Sequence, residues 1–255
     1  MALVSFVRHS GRVRHNIFTG PIAERYDADT PISAPEFVDP VVDFLTDLVG
    51  DGAALEFAIG TGRIALPLSR RGVRVHGIDL SADMVAQLRQ KPGSEEIGVT
   101  VGDFTTTEVD DRFRLVYLVY NTVGNITSQT EQVACFRNAV RHLEPGGCFV
   151  IEVGVPSLRR LPPGETIRAF DVGTEHFGFD ELDVAAQRGV SHHFWLRGDT
   201  FETFSCPYRF VWPSELDLMA QIAGMTLRER WSDWDRRPFT SESTQHVSVW
   251  EKPAS

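Results

Sequence analysis

The sequence predicts an α/β fold: a parallel sheet wrapped in helices, with an antiparallel β insertion late in the chain. Three observations carry this. Short apolar, β-prone runs alternate with helix-period segments from about Phe37 to Val153, the rhythm of a parallel sheet with helical crossovers. The first of these runs, Ala54-Leu55-Glu56-Phe57, leads into small residues at alternate positions, Ala58, Gly60 and Gly62. That pattern reads as a buried strand, a tight turn and a helix start, where backbone N–H groups approach a ligand and favour negative charge. The rhythm then breaks: between about Leu161 and Val211, β-prone runs are punctuated by Gly173, Gly178, Gly189 and Gly198-Asp199, as in antiparallel hairpins.

Taken in order, Phe37, Val41, Phe44, Leu45 and Leu48 lie at helical spacing, and Asp51-Gly52 closes that helix. The first strand covers roughly Ala53 to Ala58, and a helix runs from Gly62 to about Arg71. Val73 to Ile78 is a β-rich run ending in Asp79. Ser81 is an N-cap for a helix through Arg89. Further buried strands are expected at Ile97–Val101, Phe113–Tyr120 and Cys148–Val153. The helix from Gln129 to Leu143 ends at the stop Glu144-Pro145-Gly146-Gly147. In the insertion the β-prone runs are Ile167–Phe170, Val190–Leu196 and Phe201–Phe210. Pro213 opens a helix that Gly224 closes, and Met225–Trp231 with Gln245–Trp250 read as a closing strand pair.

The totals narrow the function. The 255 residues suffice for one domain with an insertion. A net charge of −10 argues against a nucleic-acid backbone as partner, and no apolar run approaches the ~20 residues of a membrane span. Cys135, Cys148 and Cys206 are odd in number and widely spaced, which fits reduced thiols in the cytoplasm. Leu3–Val7 is too short for a secretory core. The basic stretch Arg8–His15 reads as a mobile arm or an over-early start in preference to a transit peptide.

The chemistry sits at strand ends. Asp79 follows the second strand, where a carboxylate can accept both hydroxyls of a ribose. Asp103, in Val101-Gly102-Asp103-Phe104, can accept from an adenine amine, and Met84 and Phe104 can flank the ring. Glu56, an acid inside the first strand, suits a ligand ammonium better than a pyrophosphate. Gly60-Thr61-Gly62-Arg63-Ile64-Ala65 also satisfies the dinucleotide fingerprint, so an NAD(P)-dependent oxidoreductase is the first rival. A non-catalytic interaction module is the second, although an unused pocket has no reason to keep buried charge.

Together, the turn at Glu56 to Gly62, the acidic strand end Gly77-Ile78-Asp79-Leu80-Ser81-Ala82-Asp83-Met84, Gly102-Asp103-Phe104 and Leu143-Glu144-Pro145-Gly146-Gly147 resemble the class I S-adenosylmethionine-dependent methyltransferases. The resemblance covers about Phe37 to Val153 well and the last strand pair more loosely. It implies a doubly wound, seven-stranded, mostly parallel Rossmann-like sheet and S-adenosyl-L-methionine as cofactor. On it, the donor site comprises Glu56, Ala58, Gly60, Gly62, Asp79, Leu80, Met84, Asp103, Phe104 and Tyr120. Ala58 departs from the family's usual glycine. Tyr120-Asn121-Thr122 occupies the place near the transferring methyl, without the [N/D/S]-P-P-[Y/F/W] signature of nucleic-acid amine transfer. The implied layout is an arm or lid over 1–36, a donor-binding core over 37–160, a substrate-covering insertion over 161–211, and a helix with closing strands over 212–255.

The acceptor is then a small molecule or short peptide, methylated on N, O or C by in-line displacement, which needs orientation more than covalent help. Oligomeric state stays open. The candidate catalytic residues are Tyr26, Asn121, His192 and His193; the two histidines are adjacent on an expected strand, so only one faces inward. His176 and His246 have no supporting pattern, and His9, His15 and His142 carry no such geometry. No His, Cys and carboxylate set has metal-ligand spacing. Most of the aromatic residues of the insertion and closing strands (Phe177, Phe179, Phe194, Trp195, Tyr208, Phe210, Trp212, Trp231, Trp234) are assigned to a small-lobe core, and a few to an acceptor pocket.

Overall fold

A computed structural model describes residues 16–29 and 34–254; the basic stretch Arg8–His15, with His9 and His15, lies outside them. A helix α1 (Pro21–Asp29) precedes the core, and α2 (Pro35–Val49) leads into it. The alternation then runs β1 (Ala53–Phe57), α3 (Ala65–Arg70), β2 (Arg74–Asp79), α4 (Ala82–Arg89), β3 (Gly98–Val101), β4 (Phe113–Leu118), α5 (Gln129–His142) and β5 (Leu143–Gly154). Four strands follow, β6 (Ile167–Val172), β7 (His176–Asp183), β8 (Arg188–Arg197) and β9 (Thr200–Arg209). The chain closes with α6 (Pro213–Ala223), β10 (Thr226–Trp231) and β11 (Gln245–Glu251).

Seven strands form one sheet in the order β10-β11-β5-β4-β1-β2-β3, parallel except for the antiparallel pairs β5–β11 and β11–β10. This is the parallel sheet the alternation predicts, doubly wound as the resemblance implies. Both faces are covered, so the strands read as continuous apolar runs instead of alternating polar and apolar. Strand β4 shows why: Leu115 and Tyr117 pack into one core cluster with Phe44 and Leu45 of α2, while Val116 and Leu118 pack into the other with Phe136 of α5 and Leu216 of α6. In that second cluster Phe136 meets Phe149 and Trp250 edge-on, at 5.2 and 5.3 Å between ring centres.

Details differ from expectation for local reasons. Strand β5 begins at Leu143, so the Pro-Gly-Gly segment belongs to an irregular strand start; the β4–β5 register jumps from Phe113↔Leu143 to Leu115↔Cys148 to absorb it. The insertion forms a separate four-stranded antiparallel sheet, β6-β7-β8-β9, and β7 has no counterpart among the expected runs. Gly178 disguised it. This glycine is not a turn but a mid-strand residue, and a Cβ there would lie 2.3 Å from the Phe170 ring. Gly189 is likewise inside β8, under the Tyr208 ring.

Candidate active site

The carboxyl ends of β1, β2 and β4 meet at one cleft, where parallel sheets bind ligands. Glu56 is in register with Gly77 of β2 and Tyr117 of β4. It is buried, and the Tyr117 hydroxyl donates to its Oε2 at 3.0 Å. Burial pushes its pKa up to about 8, against the pull of that hydrogen bond and of the Arg63 charge.

Past it the chain turns sharply, with Ala58, Gly60 and Gly62 at φ of 56°, 55° and 78°. Gly62 is required twice over, since a Cβ there would also stand 2.4 Å from Leu88 Cδ1. Ala58 adopts the same left-handed geometry with a side chain, which explains why glycine suits the position and marks a strained alanine. Asp79 ties the turn down: Oδ2 accepts from the Gly60 N–H and Oδ1 from the Ser81 N–H, both at 2.7 Å. Burial nevertheless raises its pKa. Each oxygen keeps lone-pair capacity for a further donor. The Ser81 hydroxyl accepts from the Met84 N–H at 3.2 Å, an N-cap that starts α4.

The other expected donor residues are spread around this turn. Met84 is buried and its Cε lies 3.3 Å from where a Gly60 Cβ would be; Leu80 is partly exposed. Asp103 Oδ1 accepts from the Thr105 N–H and hydroxyl at 2.9 and 2.7 Å. Phe104 is buried against Phe57, with stacked rings 5.5 Å apart. Tyr120 and Asn121 both have φ of 57°, two consecutive left-handed residues at the end of β4, where strain is characteristic of a functional site. The Tyr120 N–H donates to Glu152 Oε2 at 2.9 Å, and the Asn121 side-chain oxygen accepts from the Gly154 N–H at 2.6 Å. The Asn121 oxygen thus holds the end of β5 in place.

Helix α1 lies over the cleft. The Gly20 N–H donates to Asp83 at 2.7 Å, the Thr61 hydroxyl to Asp27 at 2.6 Å, and Lys91 pairs with Asp27 at 2.5 Å. Tyr26 is carried inward, its ring edge-on to Phe18. Burial, with the Tyr120 hydroxyl next, pushes its pKa up to about 12, so it stays a neutral phenol. Arg63 stands among these groups, its guanidinium 5.3 Å from the centre of the Tyr120 ring. Arg63, Asp27 and Glu152 have no assigned role in the sequence reading. Only Arg63 left a signal, as the basic residue directly after the glycine turn.

A second cavity of about 410 Å³ adjoins the ends of β4 and β5 and is roofed by the four-stranded sheet. Asn121 and Gly154 line it from the core; Arg168, Asp180, His193 and Tyr208 line it from the roof. His192 points to the opposite face, bonded to Ser205 at 2.8 Å and 3.7 Å from Glu181. His246 is buried at β11 and His142 in the core, where its Nε2 accepts from the Val109 N–H. The roof is fastened by Arg209, buried at the end of β9, which pairs with Glu215 of α6 and with Gln132 of α5, both at 2.6 Å. Among the described residues no group of three His, Cys, Asp or Glu could hold a metal, and no helix is long and apolar enough to cross a membrane.

Residues 54–147 match the family described as a methyltransferase domain. The chain is 34% identical to the CcbJ methyltransferase from Streptomyces caelestis, over 91% of this chain and 96% of that one, with a TM-score of 0.82. It is 26% identical to the cypemycin N-terminal methyltransferase of a Streptomyces species, over 78% of this chain and 82% of the relative. It is 28% identical to the dTDP-3-amino-3,6-dideoxy-alpha-D-glucopyranose N,N-dimethyltransferase of Streptomyces fradiae, over 53% and 54% respectively.

Proposed function

The chain belongs to the class I S-adenosylmethionine-dependent methyltransferases, and we propose that its acceptor is an amine on a small natural product or a short peptide. The family displaces both rivals: the chain is an enzyme, and its cofactor is S-adenosyl-L-methionine. The observation that carries the acceptor reading is the cavity that joins the ends of β4 and β5 to Asp180 and His193 of the roof. Its size suits a sugar or the end of a peptide. The relatives that act on a peptide N-terminus and on an amino sugar support the same class.

The donor site fits these residues, because a buried carboxyl raised to about 8 is what an ammonium would ionise. In this reading Glu56 takes the ammonium of the methionine moiety, and Arg63 faces its carboxylate. Gly60, Gly62 and Ala58 admit the donor to the backbone. Asp79 accepts from the ribose, Asp103 faces the adenine amine, and Leu80, Met84 and Phe104 pack on the ring. Bound there, the donor supplies an electrophilic methyl on a sulfonium. Tyr26 and Tyr120 close the space around it and exclude water, and Asn121 sets the wall between donor and acceptor. A cytoplasmic location belongs to the same reading, supported by the odd number and wide spacing of Cys135, Cys148 and Cys206.

The test is a methyl-transfer screen with S-adenosylmethionine against a free-amine dipeptide, the dTDP-linked 3-amino sugar and a simple phenol, read by mass spectrometry. Methylation of an amine is expected. Transfer to the phenol alone would overturn the amine reading.

A further inference from the structure

We propose that Asp171, His176 and His193, strung across the roof sheet, form a proton relay in which His193 Nε2 takes the proton from the acceptor. The proposal rests on the amine reading for the identity of that acceptor, and not for the relay itself.

The juxtaposition comes from three strands. In β7 and β8, His176 and His193 share a face by strand alternation, since Gly178 pairs with His193 and His176 with Trp195. Asp171 reaches that face through a bulge: the β6–β7 register slips between Ala169 and Asp171, which sets Asp171 opposite Gly178. The contacts follow in line. Asp171 Oδ2 lies 2.5 Å from His176 Nδ1, and His176 Nε2 lies 3.1 Å from His193 Nδ1. The imidazoles are clamped: His193 stacks on Trp195 at 5.2 Å and 9°, and Phe170 packs against His193 at 5.0 Å in the space Gly178 leaves.

The chain of bonds fixes the tautomers. A carboxylate only accepts, so a neutral His176 carries its proton on Nδ1 and presents a bare Nε2. His193 must then donate from Nδ1, which leaves the lone pair on Nε2. That atom has no protein partner among the described residues, and His193 lines the cavity. His192, on the outer face, cannot serve. Burial, then the neighbouring His176, hold the His193 pKa below the ordinary imidazole value, so the ring is neutral near pH 7. Asp171, Asp180 and His192 are the other charged or titratable groups acting on it; Arg168, Cys206 and Tyr208 share the cavity.

The step balances. An acceptor ammonium gives its proton to His193 Nε2 and becomes a free amine. The nitrogen lone pair then forms the N–C bond as the C–S bond breaks, and sulfur keeps the electron pair. The imidazolium at His193 is stabilised through His176 by the Asp171 carboxylate. His193 is the catalytic base; His176 and Asp171 position it.

The test has two independent arms. In ¹⁵N NMR of the histidine side chains, without substrate, wild-type His193 should show the Nδ1–H, bare-Nε2 tautomer, and Asp171→Asn should shift that population. In steady-state assays with the free-amine dipeptide and the dTDP-linked 3-amino sugar, His193→Ala should lower kcat by ~10²–10⁴-fold. The rate of this variant should climb as pH approaches the amine's own pKa, where no base is needed. Asp171→Asn should cost about tenfold and move the acid limb of the pH profile. Affinity for S-adenosylhomocysteine, unchanged within about twofold, would show that each variant is folded.

Wild-type His193 protonated on Nε2, or a His193→Ala kcat within about threefold of wild type, would overturn the relay. A phenol as the acceptor with the same His193→Ala penalty would sink the amine reading and leave the relay standing. If none of these probes turns over, the tautomer decides.

Discussion

In the proposed function the donor turn and the acceptor roof solve the same problem, holding a small molecule at the edge of one sheet, by opposite means. At the turn the work is done by backbone: three left-handed residues within Ala58–Gly62, and one carboxylate, Asp79, that gathers two N–H groups at 2.7 Å. At the roof it is done by side chains on four strands, Arg168 to Tyr208, whose facing depends on strand alternation and one bulge. The first arrangement is tolerant of sequence elsewhere and strict about small residues. The second can change its acceptor by changing side chains without disturbing the sheet. A common cofactor and a variable substrate call for that division.

The comparison breaks most visibly at Arg209. This guanidinium joins the end of the roof to α5 and α6, buried beside Gln132 and paired with the half-buried Glu215. Arg209→Met takes the cation from Glu215, which keeps only the neutral donors Gln129 and Gln187, and the donor from Gln132; losing one partner of a buried pair costs roughly 3–5 kcal/mol. Thermal unfolding should drop by about 6–12 °C or more. If the two regions are independent, isothermal titration with S-adenosylhomocysteine below the transition will show unchanged affinity. Loss of donor binding would mean the roof also shapes the turn.

The converse break is Asp79→Ala. It removes the proposed ribose acceptor and frees the Gly60 and Ser81 N–H groups, at about 1.5–3 kcal/mol for each charge-assisted bond to ligand. Donor affinity should fall ~10–100-fold with the roof intact. An affinity within about twofold of wild type would reduce Asp79 to a cap for the turn and α4.

Legibility in the sequence follows the same line. Glu56 to Met84 lies within one strand-turn-helix unit and its successor, so spacing along the chain is nearly spacing in the cleft. The succession of parallel strands along the chain followed from alternation, because a sheet covered on both faces leaves apolar runs such as Phe113–Leu118; their order in the sheet did not. The roof offered no such shortcut. Gly178 resembled a turn because its smallness answers to Phe170 from another strand. Asp171 could not be placed beside His176 without the β6 bulge. The sequence does say that one of His192 and His193 faces inward, and alternation alone cannot tell which. Phe104 illustrates the opposite limit: its motif marks it for an adenine contact, and nothing in the sequence says that Phe57 stacks on it.

Glu56 sharpens the donor side with a pH dependence. Its folded-state carboxyl is raised to about 8 from an ordinary 4.5. Its contribution to the stability of the empty protein is therefore fully present below pH 4.5 and lost as pH rises through 8. Binding an ammonium requires the carboxylate, so affinity for S-adenosylhomocysteine should improve with pH, by up to ~10-fold per unit, and level off near pH 8. Tyr117, Arg63 and Asp79 face the same group and are unchanged in Glu56→Gln, which should bind more weakly and with a flat pH profile. Calorimetry in buffers of different ionisation enthalpy should show proton release on binding in wild type only. A pH-independent wild-type affinity would place the ammonium elsewhere.

The smallest effect tests whether the turn's strictness about small residues is conformational. Ala58 holds a φ of 56°, which costs an alanine about 1–2 kcal/mol relative to glycine. Glycine at this position gives back about 0.4–1 kcal/mol through the greater freedom of its unfolded chain. It also loses a methyl that packs against the second core cluster. The residues around Ala58, including Asp79 and Gly60, keep their bonds in either case, so the difference isolates the backbone term. Ala58→Gly should stabilise the protein by about 0.5 kcal/mol, visible as a small rise in the urea midpoint at constant slope. Donor affinity should hold or improve slightly. A fall in stability of more than about 1 kcal/mol would show that the methyl contributes more by packing than the left-handed backbone costs by strain.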